Sequence, residues 1–194
     1  MKDCDIIKIY EYTIRSYNSF LRILSNNHKT AENKYSKNYY SFIPLPHFRD
    51  LIQDFYETYR KLRKKTKAPT FIDIGCGCGN ILVLAQSIGY KIYGIDNDPK
   101  CINIARKLCF AGLPTYSERI FRGNILNYNG YEKYDVLYYY VPIKEIRLML
   151  KAAKRIHNQM KVGAIIYPVQ FYGLFRSSEK FKSIGKYGYK KIKE

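Results

Sequence analysis

The period of the apolar positions changes several times along the chain. Ile6, Ile7, Tyr10, Ile14, Tyr17 and Leu21 recur at helical spacing and predict a helix from Cys4 to about Leu24. A polar stretch with interspersed tyrosines follows from Asn26 to Ser41 and reads as a loop. Phe48, Leu51, Ile52, Phe55 and Leu62 predict a second helix from Pro46 to about Lys64, with proline in its first turn and cations at its end, where they complement the helix dipole. From there, short apolar runs of strand length alternate with longer helical patterns. Strands are expected at Thr70 to Ile74, Lys91 to Ile95, Arg119 to Arg122, Tyr134 to Pro142 and Val162 to Pro168. Helices are expected at Asn80 to Ile88, at Pro99 to Phe110 behind an Asp98 N-cap, and at Ile143 to Met160. Gln170 to Arg176 and Tyr187 to Ile192 supply two more strands as a hairpin, interrupted by Gly173, Gly185 and Gly188. Such alternation predicts an α/β fold, a doubly wound, mostly parallel, Rossmann-like sheet of seven strands with an N-terminal helical appendage.

The 194 residues are one domain's worth, and a hydrophobic share of 46% supports a core. Within that compact domain, residues 1–68 form the appendage and covering segment and residues 69–194 the core. The chain has no run of about eighteen apolar residues, and its first five residues are too acidic for a secretory signal. Five cysteines without a pairing pattern suit a reducing compartment. An intracellular, cytoplasmic chain is expected.

Chemistry concentrates where the first strand turns into a helix. Phe71-Ile72-Asp73-Ile74-Gly75-Cys76-Gly77-Cys78-Gly79-Asn80 puts an acid and three alternate glycines at that turn. Glycine tolerates positive φ and lets a ligand approach the backbone. The second strand ends in Asp96, seventeen positions after Gly79, where a carboxylate can accept from both ribose hydroxyls. The combination points to a nucleotide-cofactor pocket, with a merely structural tight turn as the alternative. The dinucleotide fingerprint G-x-G-x-x-G fits less well, since position 80 is Asn. Cys76 and Cys78 lack a partner pair at zinc spacing, so no metal site is expected and loop filling is the better reading.

The formal charge of +18 is unevenly placed. Residues 70–142 carry seven Lys and Arg against six Asp and Glu, residues 1–69 fourteen against seven, and residues 143–194 thirteen against three. The excess lies on the flanks, above all in Arg60-Lys61-Leu62-Arg63-Lys64-Lys65-Thr66-Lys67 and in the tail from Lys180 to Lys193. These runs are either a solvated lysine-rich surface or a surface that attracts RNA, an acidic protein or anionic lipid.

Asp73-x-Gly75-x-Gly77-x-Gly79, with Asp96 beyond it, resembles the first two motifs of class I S-adenosylmethionine-dependent methyltransferases. Asp135-Val136-Leu137-Tyr138-Tyr139-Tyr140 before Pro142, the basic helix after it and the Gly163-Ala164-Ile165-Ile166 strand are similar to the small protein-lysine methyltransferases related to the ATP synthase subunit c lysine methyltransferase and its archaeal relatives. Phe42-Ile43-Pro44-Leu45-Pro46 looks like their Pro-x-Pro stretch. The likeness covers roughly residues 40–172. It departs at Cys76 and Cys78, where those enzymes usually carry Ser and Asp, and at Asp96, where Glu is frequent. The resemblance implies S-adenosyl-L-methionine as methyl donor, bound by Asp73, Gly75, Gly77, Gly79, Asp96 and Asn97 and covered by Phe42 and Pro44. It also implies that Asn124 meets the adenine, although a turn residue after Gly123 is the plain alternative.

Ligands of doubly wound sheets bind beyond the carboxyl ends of the strands, so Tyr138 to Pro142 should line the acceptor site. Tyr138 and Tyr140 point one way as catalytic candidates, and Tyr139 points the other as a cofactor neighbour, with at least one of the three expected to pack under helices. Methyl transfer from a sulfonium is an in-line displacement that needs positioning and a desolvated acceptor rather than a metal or covalent nucleophile. The Asn/Asp-Pro-Pro-Tyr/Phe tetrad of adenine-N6 and glutamine-amide methyltransferases is absent from Tyr139-Tyr140-Val141-Pro142. A protein lysine is the leading acceptor. RNA, a small molecule, or a non-catalytic cofactor-binding role are the alternatives.

Overall fold

The computed structural model describes residues 5–13, 15–16, 45–110, 118–140, 143, 145–169 and 171–194, and of 45–48 the backbone alone. Residues 5–13 are helical (α1), and Ile7 is buried while the Tyr10 ring lies 6.2 Å from that of Tyr56. The rest of the expected N-terminal helix, the loop to Ser41, and Phe42 and Pro44 lie outside the described residues.

The chain then runs α2 (Leu45–Arg63), β1 (Thr70–Ile74), α3 (Asn80–Ile88), β2 (Lys91–Asp96), α4 (Pro99–Cys109), β3 (Ile120–Arg122), β4 (Val136–Tyr139), α5 (Ile146–Gln159), β5 (Ile165–Tyr167), α6 (Gly173–Arg176), β6 (Phe181–Ile184) and β7 (Gly188–Lys191). Asp98 caps α4 by accepting from the Lys100 N–H, and Pro99 occupies its first turn, where no N–H is needed. α3 ends at Gly89, whose φ of 118° and bonds to the Ala85 and Gln86 carbonyls close the last turn.

All seven strands form one sheet in the order β3-β2-β1-β4-β5-β7-β6. β3, β2, β1, β4 and β5 are parallel, and β7 enters antiparallel between β5 and β6. The order reverses between β2-β1 and β1-β4, which opens a crevice at the carboxyl ends of β1 and β4. This is the expected α/β, doubly wound, mostly parallel sheet.

The end of the chain differs from expectation. Residues 173–176 form the short helix α6, and the sixth strand is Phe181–Ile184, not the stretch from Gln170 to Arg176. Phe175 packs edge-on to Phe181, 5.2 Å between centroids, so its apolar character serves a helix-to-strand contact. Gly185, at φ 55°, makes the turn into β7, where an added Cβ would lie 2.6 Å from the Asp54 carboxyl carbon. The buried Asp54 of α2 accepts from the Lys186 and Tyr187 N–H groups of that turn, both at 2.9 Å.

Two cores sandwich the sheet. One face carries Phe71, Val136, Tyr138 and Tyr167 under α2, α3 and α4, and the other carries Ile72, Leu137, Tyr139 and Ile166 under α5. Phe55 of α2 meets the rings of Phe71, Tyr138 and Tyr167 edge-on at 4.8 to 5.8 Å. α2 therefore belongs to the same core as the sheet, and the contacts of residues 49–63 run across the division expected at residue 68.

Candidate functional site

The turn after β1 is built for left-handed backbone. Gly75, Gly77 and Gly79 have φ of 84°, 50° and 87°, a region that costs an L-residue about 1–2 kcal/mol. Gly75 N–H and Cys76 N–H both donate to the Ile95 carbonyl, at 2.8 and 3.0 Å, which ties the turn to the end of β2. α3 starts after Gly79, which offers no side-chain cap, and the Asn80 side-chain oxygen accepts from the Ile81 N–H at 3.0 Å.

Asp96 joins two loops. Its Oδ2 accepts from Gly77 N–H at 2.8 Å and its Oδ1 from Asp98 N–H at 2.9 Å. The Asn97 N–H is a third backbone donor to this carboxylate, whose roughly four acceptor sites still exceed its donors. Burial holds this carboxyl above its ordinary range, opposed by those backbone donors.

Asp73 lies one strand away, 3% exposed, with no hydrogen bond to its carboxylate from any described residue. Burial, then the negative Asp96, pushes its pKa well up. Its register partner on β4 is Tyr138, 2% exposed, whose hydroxyl has no hydrogen-bond partner among the described residues. Burial raises the Tyr138 phenol as well, with Asp73 next in effect. The Tyr138 hydroxyl, beside the buried Asp73 carboxyl at a strand end, leaves a hydrogen-bonding demand that the described residues do not meet.

On β2 the residue in register with Asp73 is Gly94. A Cβ there would sit 2.7 Å from Leu82 Cδ1 and 2.9 Å from Cys76 Sγ, so only glycine leaves room for the turn and α3. Sequence reasoning passed over Gly94, although an isolated glycine in a strand pattern signals such close approach. The thiols of Cys76, Cys78, Cys101 and Cys109 are buried, and Cys78 Sγ lies 3.6 Å from Cys101 Sγ. Burial pushes the Cys109 thiol up to about 12. Among the described residues no cluster of His, Cys, Asp and Glu has the makings of a metal site.

The remaining candidates fall at different places. Tyr140 is half-buried on the Tyr138 face. Tyr139 is fully buried on the opposite face, donates to the Met149 carbonyl at 3.1 Å and meets the Phe171 ring edge-on, so α5 packing engages it. Asn97 and Asn124 are exposed at the ends of β2 and β3. The Asn124 side-chain oxygen accepts from Leu126 N–H at 2.9 Å, the bond of a turn residue. Val141 and Pro142 lie outside the described residues.

No known family profile matches the chain, and no curated protein does. Solved structures do. An amino pentose methyltransferase of Micromonospora echinaspora involved in calicheamicin biosynthesis, with S-adenosylmethionine bound, is 17% identical at a TM-score of 0.46, over 60% of this chain and 48% of its own. A sugar N-methyltransferase of a Streptoalloteichus species is 14% identical at 0.43, over 58% and 45%. A glycopeptide N-methyltransferase in complex with S-adenosyl-L-methionine is 10% identical at 0.43, over 58% and 52%. The aligned part spans about half the length of each of these proteins.

Proposed function

We propose that the protein is an S-adenosyl-L-methionine-dependent methyltransferase that acts on a protein lysine. The observation that carries the cofactor assignment is the buried Tyr138 hydroxyl, without a hydrogen-bond partner among the described residues, beside the buried Asp73 carboxyl at the order reversal of the sheet and a left-handed glycine turn. An ammonium is the ligand such a pair lacks, and the methionine part of the cofactor carries one. The positive end of the α3 dipole, at the glycine turn, suits its carboxylate. The remaining lone pairs of Asp96 suit ribose hydroxyls, and the turn that Gly77 N–H fastens to that carboxylate keeps them in place. The bound donor supplies a sulfonium methyl open to in-line attack.

For the acceptor, the chain supplies desolvation and orientation. Tyr140, half-buried on the Tyr138 side, faces the end of β4 where an amine enters. Aromatic surroundings favour the neutral amine by taking its ammonium out of water, and the lone pair can then attack. The proton leaves before the C–N bond forms. Among the described residues no helix is long and apolar enough to cross a membrane.

The test is transfer of tritiated methyl from S-adenosylmethionine into a cell lysate, followed by protease or ribonuclease digestion. Label that protease releases, found as methyl-lysine by mass spectrometry, supports the proposal. Label that ribonuclease alone releases refutes the lysine acceptor and retains the methyltransferase. No transfer to any acceptor, together with no binding of S-adenosylhomocysteine, refutes both.

A further inference from the structure

The parallel sheet separates two ends of the molecule. The glycine turn, Asp73, Asp96 and the crevice lie at the carboxyl end of β1, β2 and β4. At the other end, where these strands begin, positive charge is in excess. Arg63, the last residue of α2, and Lys64, Lys65 and Lys67 in its connection to β1 are exposed. Lys91 opens β2, its N–H bonded to the Pro69 carbonyl, and exposed Lys133 stands before β4, its carbonyl accepting from the Thr70 hydroxyl. Three separate segments thus converge on the first residue of β1.

The cations are largely unspent. Lys64, Lys65, Lys67 and Lys133 have no ion-pair partner among the described residues. Of the carboxylates at this end, Asp135 is already bound by Lys161 at 2.7 Å and by Thr70, which leaves exposed Glu118 and Glu132. The half-buried Tyr93 ring has Lys91 Nζ 5.7 Å and Arg119 Cζ 6.0 Å from its centroid, so the positive field extends along β2 toward β3.

We propose that this end of the molecule docks the phosphate backbone of a nucleic acid, apart from the crevice at the opposite end of the sheet. The backbones of β2 and β4 flank β1 about 10 Å apart, Lys91 opens the first and Lys133 precedes the second, and the end of α2 with its connection to β1 adds four more cations. A duplex presents one negative charge per about 1.7 Å of axis, so a surface of this width meets several phosphates at once. An anionic membrane fits less well. The exposed large apolar residues nearest in the sheet, Val162 and Ile192, flank β5 and β7 beyond β4, and the cationic patch itself has none among the described residues. The docked strand would recruit the protein to a nucleic-acid-bearing assembly while leaving the crevice open.

The experiment is fluorescence anisotropy of the full chain with a 20-base-pair RNA duplex between about 50 and 200 mM salt. Lys64→Ala, Lys65→Ala, Lys67→Ala and Lys133→Ala are combined in one variant. Lys182→Ala, on the exposed edge strand β6, is the control. The wild-type protein should bind with a steep salt dependence. The fourfold variant should lose at least tenfold in affinity at low salt and about 3 in the slope of log K against log salt, at about 0.9 per phosphate contact. The control should change the slope by less than about 1. Circular dichroism melts that match wild type establish that the variant is folded. No binding by the wild-type protein at low salt, an unchanged slope in the folded variant, or binding to phosphatidylserine vesicles without binding to RNA overturns the proposal.

Discussion

Asp73 and Tyr138 face each other in register across β1 and β4, both almost wholly buried, and neither the carboxylate nor the hydroxyl finds a hydrogen bond among the described residues. A charged carboxylate in that position is costly unless something pairs with it. The free protein therefore holds Asp73 as the neutral acid over a wider pH range than the unfolded chain does, through burial and the nearby Asp96. Below the ordinary carboxylate pKa the native state keeps its full contribution from this group. That contribution is lost as pH rises through the raised native value, because the unfolded chain ionises first.

Asp73→Asn should accordingly stabilise the ligand-free protein at neutral pH, with a gain over wild type that shrinks toward pH 3. Asp96 and Asp54, also raised chiefly by burial, tilt the wild-type profile the same way, so the difference between the two proteins isolates Asp73. Urea midpoints across pH 3 to 8 are the check. A variant less stable than wild type at every pH would mean that the carboxylate has a partner after all. The same substitution should weaken S-adenosylhomocysteine binding at least tenfold, since an amide cannot neutralise an ammonium.

Tyr138→Phe removes a hydroxyl that is buried without a partner. Burying such a group costs about 1–3 kcal/mol, so the variant should melt at or above the wild-type temperature. Its methyl-transfer rate should fall, because the oxygen is proposed to meet the bound donor. Calorimetry and steady-state kinetics on one preparation test both. A destabilised variant with full activity would make Tyr138 a packing residue.

Tyr140→Ala should lower turnover of a lysine-bearing acceptor at least about tenfold, equivalent to roughly 1.4 kcal/mol in the transition state, and leave S-adenosylhomocysteine affinity within about threefold. Equal loss in both would assign Tyr140 to the cofactor wall. Unchanged turnover would remove it from the site.

Gly94→Ala tests the packing that holds the glycine turn in place. The added Cβ meets Leu82 Cδ1 at 2.7 Å and Cys76 Sγ at 2.9 Å, and overpacking of this kind costs about 1–3 kcal/mol. Chemical denaturation should show that loss. Cofactor-analogue affinity should fall with it, because α3 and the turn move together.

Much of the fold was legible in the sequence because parallel strands buried on both faces read as short apolar runs, and the alternate glycines from Gly75 to Gly79 mark a left-handed turn after the first strand. The alternation of Tyr138, Tyr139 and Tyr140 followed from the period of a strand. The state of those tyrosines did not follow, since it depends on Phe55 of α2 lying 5.8 Å from the Tyr138 ring, a contact between residues 83 positions apart. The sixth strand was hidden for a related reason. Phe181–Ile184 is an edge strand whose Lys182 and Ser183 face solvent, so it lacks the alternation of a half-buried strand, while 173–176, with as many large apolar residues, packs as a helical turn. The missing hydrogen bonds of Asp73 and Tyr138, on which the proposed function rests, belong to the fold and have no trace in one strand's sequence.

The most direct measurement is calorimetric titration of S-adenosylhomocysteine into the wild-type protein and into Asp96→Ala. One molecule should bind per chain, and Asp96→Ala should weaken binding by about 1.5–3 kcal/mol, the worth of hydrogen bonds to a charged group. Absence of binding to the wild-type chain, or equal affinity in the two proteins, would contradict a cofactor site at the carboxyl ends of β1 and β2.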